Sequence, residues 1–208
     1  MILSQYFVEF IFYSLLGWVW EALYCTIREK AWQDRGFLFG PICPIYGASV
    51  VAVMILSRFV PQISSGAMPA WGIFLICMAG SAVAEYATSW VLEKRFHMRW
   101  WDYSDMPLNL NGRICGEGLT VFALGGMAAV YLLVPVIDGA VTRIKPKVLI
   151  PVCILLVLSL CFDLVYSMNH PNAGKGITDY EEYTKTEQEA AAAFSGIRIV
   201  LPEMQNRP

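Results

Sequence analysis

The chain has 208 residues, of which 57% are hydrophobic and 15% charged, and a formal net charge of −2. That length suits one domain, the composition excludes an ordinary soluble protein, and the charge offers no electrostatic basis for a nucleic-acid partner. What is left is an integral membrane protein in contact with a lipid bilayer.

A helix needs roughly 20 mostly apolar residues to cross a hydrocarbon core about 30 Å thick. The candidates are residues 3–27, 43–60, 70–92, 117–137 and 148–168. None alternates with the period of a strand, and lipid leaves open backbone groups unsatisfied, so the expected fold is all-α. It is a polytopic helical membrane bundle of about five transmembrane helices.

The first span begins close to Met1 without a basic leader or a small-residue cleavage site, which argues against a removable signal peptide. It carries a stripe of Ser14, Gly17, Glu21 and Cys25 at helical spacing, whereas Glu9, near its other end, reads as interfacial. Next comes DRGFLFGPICPIYG, Asp34 to Gly47. Its glycines permit positive φ or close approach, and Pro41 and Pro44 fix φ and remove donors, which predicts a rigid non-helical elbow. Such backbone either forms a tight surface turn or dips into the bundle to line a cavity. The second span is the weakest. Pro44 and Gly47 interrupt its start and Arg58 limits its end, so four spans plus one broken helix is the alternative count.

Glu85 in the third span shares a face with Ser81, Thr88 and Ser89. Between the third and fourth spans lies RFHMRWWDYSDMPLNLNGRICGEG, Arg95 to Gly118, far richer in polar groups than a connector needs. Trp100, Trp101 and Tyr103 have rings that suit an anchoring belt at the water interface. The belt leaves Asp102, Asp105, Asn109, Asn111 and Arg113 unexplained. With a turn at Asn111-Gly112, they predict an ordered interfacial polar segment. Asp163 in the fifth span lines up with Ser159, Tyr166 and Ser167. After His170 the composition turns polar, acidic and alanine-rich, which divides the chain into a transmembrane domain, 1–170, and a tail, 171–208. Thr178 and Glu181 form a capping box that would open a short soluble C-terminal helix towards Phe194.

Five crossings place residues 28–42, 93–116 and the tail on one face, with Arg28, Lys30, Arg35, Lys94, Arg95, Arg99 and Arg113. The other face has Arg58, Arg143, Lys145 and Lys147. The excess of basic residues favours a cytoplasmic C-terminus. At 1.5 Å per residue, Glu21, Glu85 and Asp163 each lie roughly 8 to 10 Å before the end of a span. Alternating direction brings those ends to one face, where Glu117 opens the fourth span. A carboxylate at the centre of a span costs roughly 2.5 to 3.5 kcal/mol, so these groups face the bundle or a wet cavity. They read either as ion pairs that fix the helices or as a vestibule beneath the polar segment. The candidate substrate-binding set is Glu21, Glu85, Asp163, Arg35, Arg113, Asp102, Asn109 and Glu117.

The six cysteines include no CxxC pair, so neither a disulfide framework nor a zinc site is expected, and no cofactor or metal is implied. A phosphate loop, GxxxxGK[ST], is not met around Gly174-Lys175. Asn169 replaces the first glycine and Gly176 the hydroxyl residue, so any ATP-driven work requires a separate ATPase subunit.

In LGWVWEALY (16–24), RGFLFGPICPIYG (35–47), EYATSWVLEKRF (85–96) and RWWDYSDMPLNLNGRICGEG (99–118), the chain resembles the bacterial membrane family of ABC-transporter permeases of the CmpB, or type IV, kind. The resemblance implies a multi-pass protein of the bacterial inner membrane with a permease role, and five spans in one chain suggest a homo-oligomer or larger complex. It carries no assigned substrate or catalytic residue.

Three functions compete on these residues. The first is a permease-like transport component for a small polar or cationic solute held by the carboxylate and arginine cluster. The second is an intramembrane enzyme on a lipid-type substrate, with Glu85, Glu117 and Asp102 as acid, base or metal ligands. Against it, no HExxH or DxxxD signature is present and His97 and His170 stand alone. The third is a non-catalytic assembly or regulatory subunit that docks through its acidic tail.

Overall fold

The computed structural model describes residues 1–30, 35–170 and 178–179. The protein is an all-α polytopic membrane bundle. Helices α1 (Ile2–Glu29), α2 (Pro44–Phe59), α3 (Pro61–Ser64), α4 (Ala70–Phe96), α5 (Gly116–Ala128), α6 (Val134–Val141) and α7 (Pro146–Asn169) follow in chain order. A π-helical turn, Ala129–Leu133, joins α5 to α6, so that Gly116–Val141 forms one continuous rod. The turn falls just before Pro135, which has no N–H to return to the preceding turn. Strands β1 (Met98–Arg99) and β2 (Thr178–Asp179) pair antiparallel, Arg99 opposite Thr178. The extended pairing at Thr178 belongs to the tail. Glu181 and the predicted soluble helix lie outside the described residues.

Four segments have the length and apolar composition to cross a membrane: Ile2–Ile27, Ala70–Phe96, Gly116–Val141 and Pro146–Asn169. α2, with 16 residues, spans only about 24 Å at 1.5 Å per residue, less than the hydrocarbon core. The second crossing is therefore a composite of elbow and short helix. After α1 ends at Lys30 in the left-handed conformation, residues 35–43 descend without helical structure until the Cys43 N–H donates to the Ser14 carbonyl at 2.9 Å, well inside α1. α2 then runs antiparallel to α1, ending where the Arg58 guanidinium lies 5.0 Å over the Tyr6 ring.

Close approach of α1 and α2 depends on two glycines. A Cβ at Gly17 would overlap the Tyr46 ring, and one at Gly47 would overlap the Phe10 carbonyl and the Ser14 hydroxyl. Small residues at such crossings let two backbones meet where lipid supplies no hydrophobic drive between helices. At the end remote from the polar segment, Ile63, Ile73, Cys77 and Ala123 form an apolar core, with Val53, Leu56, Val60 and Phe74 packed around it. On α4 the buried row is Ile73, Cys77, Ser81, Glu85 and Ser89, a strict spacing of four that includes the predicted Glu85 face. On α7 the fit differs from expectation. Ser167 is buried beside Asp163, while Ser159 and Tyr166 are exposed, because α7 packs mainly on α1 along a narrower strip.

Candidate functional site

Residues 97–115 form the ordered element expected between α4 and α5, here called the lid. Its stability comes from side chains that replace the missing helical hydrogen bonds. Asp102 Oδ1 accepts from the Ser104 N–H at 2.9 Å and its hydroxyl at 2.6 Å. Asn109 donates to the Ser104 and Met106 carbonyls at 3.1 and 2.9 Å, and its own carbonyl accepts from the Gly112 N–H at 3.1 Å. Gly112 has φ 65°, and a Cβ there would overlap Ser104 and Asp102, so glycine is required on both counts.

Beneath the lid sits an ion cluster centred on Glu93. Its Oε2 accepts from Arg99 Nε at 2.8 Å and Arg113 Nη1 at 2.7 Å, and Arg113 Nη1 also donates to the Ser89 hydroxyl at 3.1 Å. Arg99 reaches Asp102 at 3.4 Å. Both arginines are buried. Glu93 went unnoticed in the sequence because it falls in a charged EKR run that reads as a solvated helix end. Its spacing of four from Ser89 was the available signal.

Trp100 corrects the anchoring-belt expectation. It is buried and packs edge-on against Phe37 of the elbow, 5.5 Å away, and Phe96, 6.2 Å away. The Trp101 indole donates to the Arg113 carbonyl at 2.9 Å. Both rings tie the lid to the bundle. The elbow is tied from the other side: the Asp163 carboxylate accepts from the Phe39 and Gly40 N–H groups, each at 2.9 Å, and Ser167 accepts from Phe39 at 2.9 Å. Two backbone donors of the non-helical elbow thus end on a charged acceptor from α7.

Between lid and elbow lie Glu21 and Glu85. Cys43 Sγ donates to Glu21 Oε2 at 3.5 Å, with the Tyr46 hydroxyl and the Arg35 guanidinium also facing that carboxylate. Glu85 is 3% exposed, lies within electrostatic range of Glu21, and its Oε2 has no hydrogen-bond donor among the described residues. Arg35 Nε is likewise buried without an acceptor. Tyr103 closes the group from the lid. Burial, then the Glu85, Cys115 and Glu21 groups, raise its phenol well above the usual tyrosine value.

The eight predicted residues therefore divide. Glu21, Glu85 and Arg35 meet in one place. Asp102, Asn109 and Arg113 are committed to bonds that hold the lid, and Asp163 to bonds that hold the elbow. Glu117 is exposed in the first turn of α5. Tyr46 and Tyr103 join the group although no sequence spacing pointed to them. The six cysteines are all free thiols, and Cys115 caps α5 by accepting from the Gly118 N–H at 3.3 Å.

Membrane-crossing helices, a non-helical elbow and polar groups gathered under a lid define a polytopic helical membrane protein. The family model described as "Putative ABC-transporter type IV" matches residues 8–168, and the chain belongs to that family. The match begins inside α1 and runs almost to the end of α7, the fifth predicted span. No curated protein and no solved structure matches the chain.

Proposed function

We propose that the protein is the permease-like membrane component of a transporter for a small cationic solute, which binds between Glu21 and Glu85 beneath the lid. The observation that carries this reading is the Glu85 carboxylate, 3% exposed and with an oxygen that no donor among the described residues reaches. A buried carboxylate of this kind is unfavourable unless a partner arrives, and a second carboxylate beside it favours a positive one. Arg35 supplies one positive charge against two negative ones, leaving the pair able to take a cation.

In this reading Asp102, Asn109 and Arg113 hold the lid, Asp163 holds the elbow, and Glu117 stands at the outer rim. The lid and the tail face the cytoplasm of a bacterial inner membrane, in keeping with the basic residues at that end. A separate ATPase subunit supplies energy, and a second copy of the chain completes the translocation path.

The test is thermal unfolding of the purified protein in detergent with a panel of small cations: ammonium, choline and putrescine. At least one raises the midpoint for the wild type, and Glu85→Gln, which retains shape but loses charge, removes that shift. Uptake or efflux of the same cation in membrane vesicles is lost with Glu21→Gln or Glu85→Gln. Unchanged transport in a folded Glu85→Gln protein overturns the reading.

A further inference from the structure

A second pair of carboxyl groups lies at the opposite end of the bundle, outside the site beneath the lid. Glu9 belongs to the row Glu9, Tyr13, Gly17, Glu21 on α1, at spacings of four. The interfacial placement expected for it is corrected by the structure: it is 0% exposed, and neither carboxyl oxygen has a hydrogen-bond donor among the described residues. Tyr13, the next residue in the row, is 2% exposed and its hydroxyl also has no hydrogen-bond partner among the described residues.

From α6, Asp138 stands half-buried with its carboxyl within hydrogen-bonding reach of Glu9, and both carboxyls act on Tyr13. From α2 comes Arg58, exposed over the Tyr6 ring; its charge acts on Glu9 against the effect of Asp138, but more weakly and without an ion pair among the described residues. α7 begins at this end with Lys147, which is exposed.

Two carboxylates in contact repel, and one that is sealed from water without a donor cannot stay ionised cheaply. A single proton resolves both difficulties, since it removes one charge and supplies the missing donor, as in paired carboxyls that share a proton elsewhere. A divalent metal fits less well. Hard cations take six or more oxygen ligands, and the described residues contain no group of three or more metal-ligating side chains.

We propose that Glu9 and Asp138 form a proton-binding site in which one proton is shared between the two carboxyl groups and exchanges with water through Asp138. Glu9 is closed to water, so the half-buried Asp138 is the route in and out. The site is independent of the cation reading at Glu21 and Glu85.

Infrared pH-difference spectra of the full-length protein in detergent test this. The wild type shows a protonated-carboxyl band that shifts in heavy water and disappears as pH is raised. Glu9→Gln, a neutral mimic of the protonated acid, lacks it; Asp138→Asn changes its frequency; Glu85→Gln leaves it in place. A band unaffected by Glu9→Gln overturns the proposal. So does its removal by sodium ions at constant pH, which would mark a metal-cation site. Unfolding supplies a second readout. A proton bound only by the folded pair stabilises the protein at low pH and is lost as pH rises, so the wild-type midpoint falls with rising pH over the range in which the band disappears. A flat midpoint through that range overturns the proposal, whereas a profile flattened by Glu9→Gln supports it.

Discussion

Glu93 and Glu9 are both carboxylates on long apolar helices, and the bundle treats them in opposite ways. Glu93 sits one turn from the end of α4, where the chain leaves the helix and returns, and two guanidinium groups of the lid close on it at 2.7 and 2.8 Å. Glu9 faces another helix and, among the described residues, meets a second acid and no donor. A buried charge beside a returning loop is readily paired, because a loop can be shaped around it. One facing a packed helix receives only what the neighbouring register presents. The paired group holds the structure; the unpaired one has no donor among the described residues.

That contrast breaks if both carboxylates respond alike to removal. The largest effect is expected from Glu93→Ala, which leaves Arg99 and Arg113 buried against each other and lowers unfolding stability by about 3–5 kcal/mol, measured by chemical unfolding in detergent. Glu9→Gln, by comparison, puts an amide donor where the shared proton stood and leaves stability equal or higher at neutral pH. Asp163→Ala leaves the Gly40 N–H without its acceptor and the Phe39 N–H to Ser167, and is expected to lower stability by about 1–3 kcal/mol, with faster proteolysis of the elbow as its signature.

Gly47→Ala sharpens the comparison from the side of packing. Its methyl meets the Phe10 backbone, which cannot yield as a side chain does, and about 1–3 kcal/mol is lost. Tyr103→Phe gives the smallest effect. Its phenol binds its proton more tightly in the folded protein than the ordinary value of 10.0 implies, so this contribution is intact below that pH and is lost as pH rises through the folded value. Wild type and variant should unfold alike at neutral pH, and the wild type should lose more stability above about pH 10.

How far the sequence could be read differs by element. The apolar runs, the broken second span, the buried face around Glu85 and the order in the lid were all visible, since each depends on composition, prolines or spacing within one segment. Trp100 was misplaced because an amphipathic ring suits an interface and a lid core equally well, and only Phe37, far away in sequence, decides between them. Ser159 was misplaced because α7 is apolar on nearly every side, which leaves its rotation undetermined by pattern. Glu9 was misplaced because depth along a span says nothing about which neighbour covers it.

By itself the sequence determined that this chain enters a membrane as helices, where those helices begin, and that its polar residues collect near span ends. Transfer from water to lipid is summed residue by residue along a segment, so local composition suffices. Tertiary structure alone decided which carboxylate meets an arginine, which meets a backbone donor and which meets another acid. Those partners are set by helix rotation and register, through contacts such as Gly47 on Phe10 that join residues far apart in the chain.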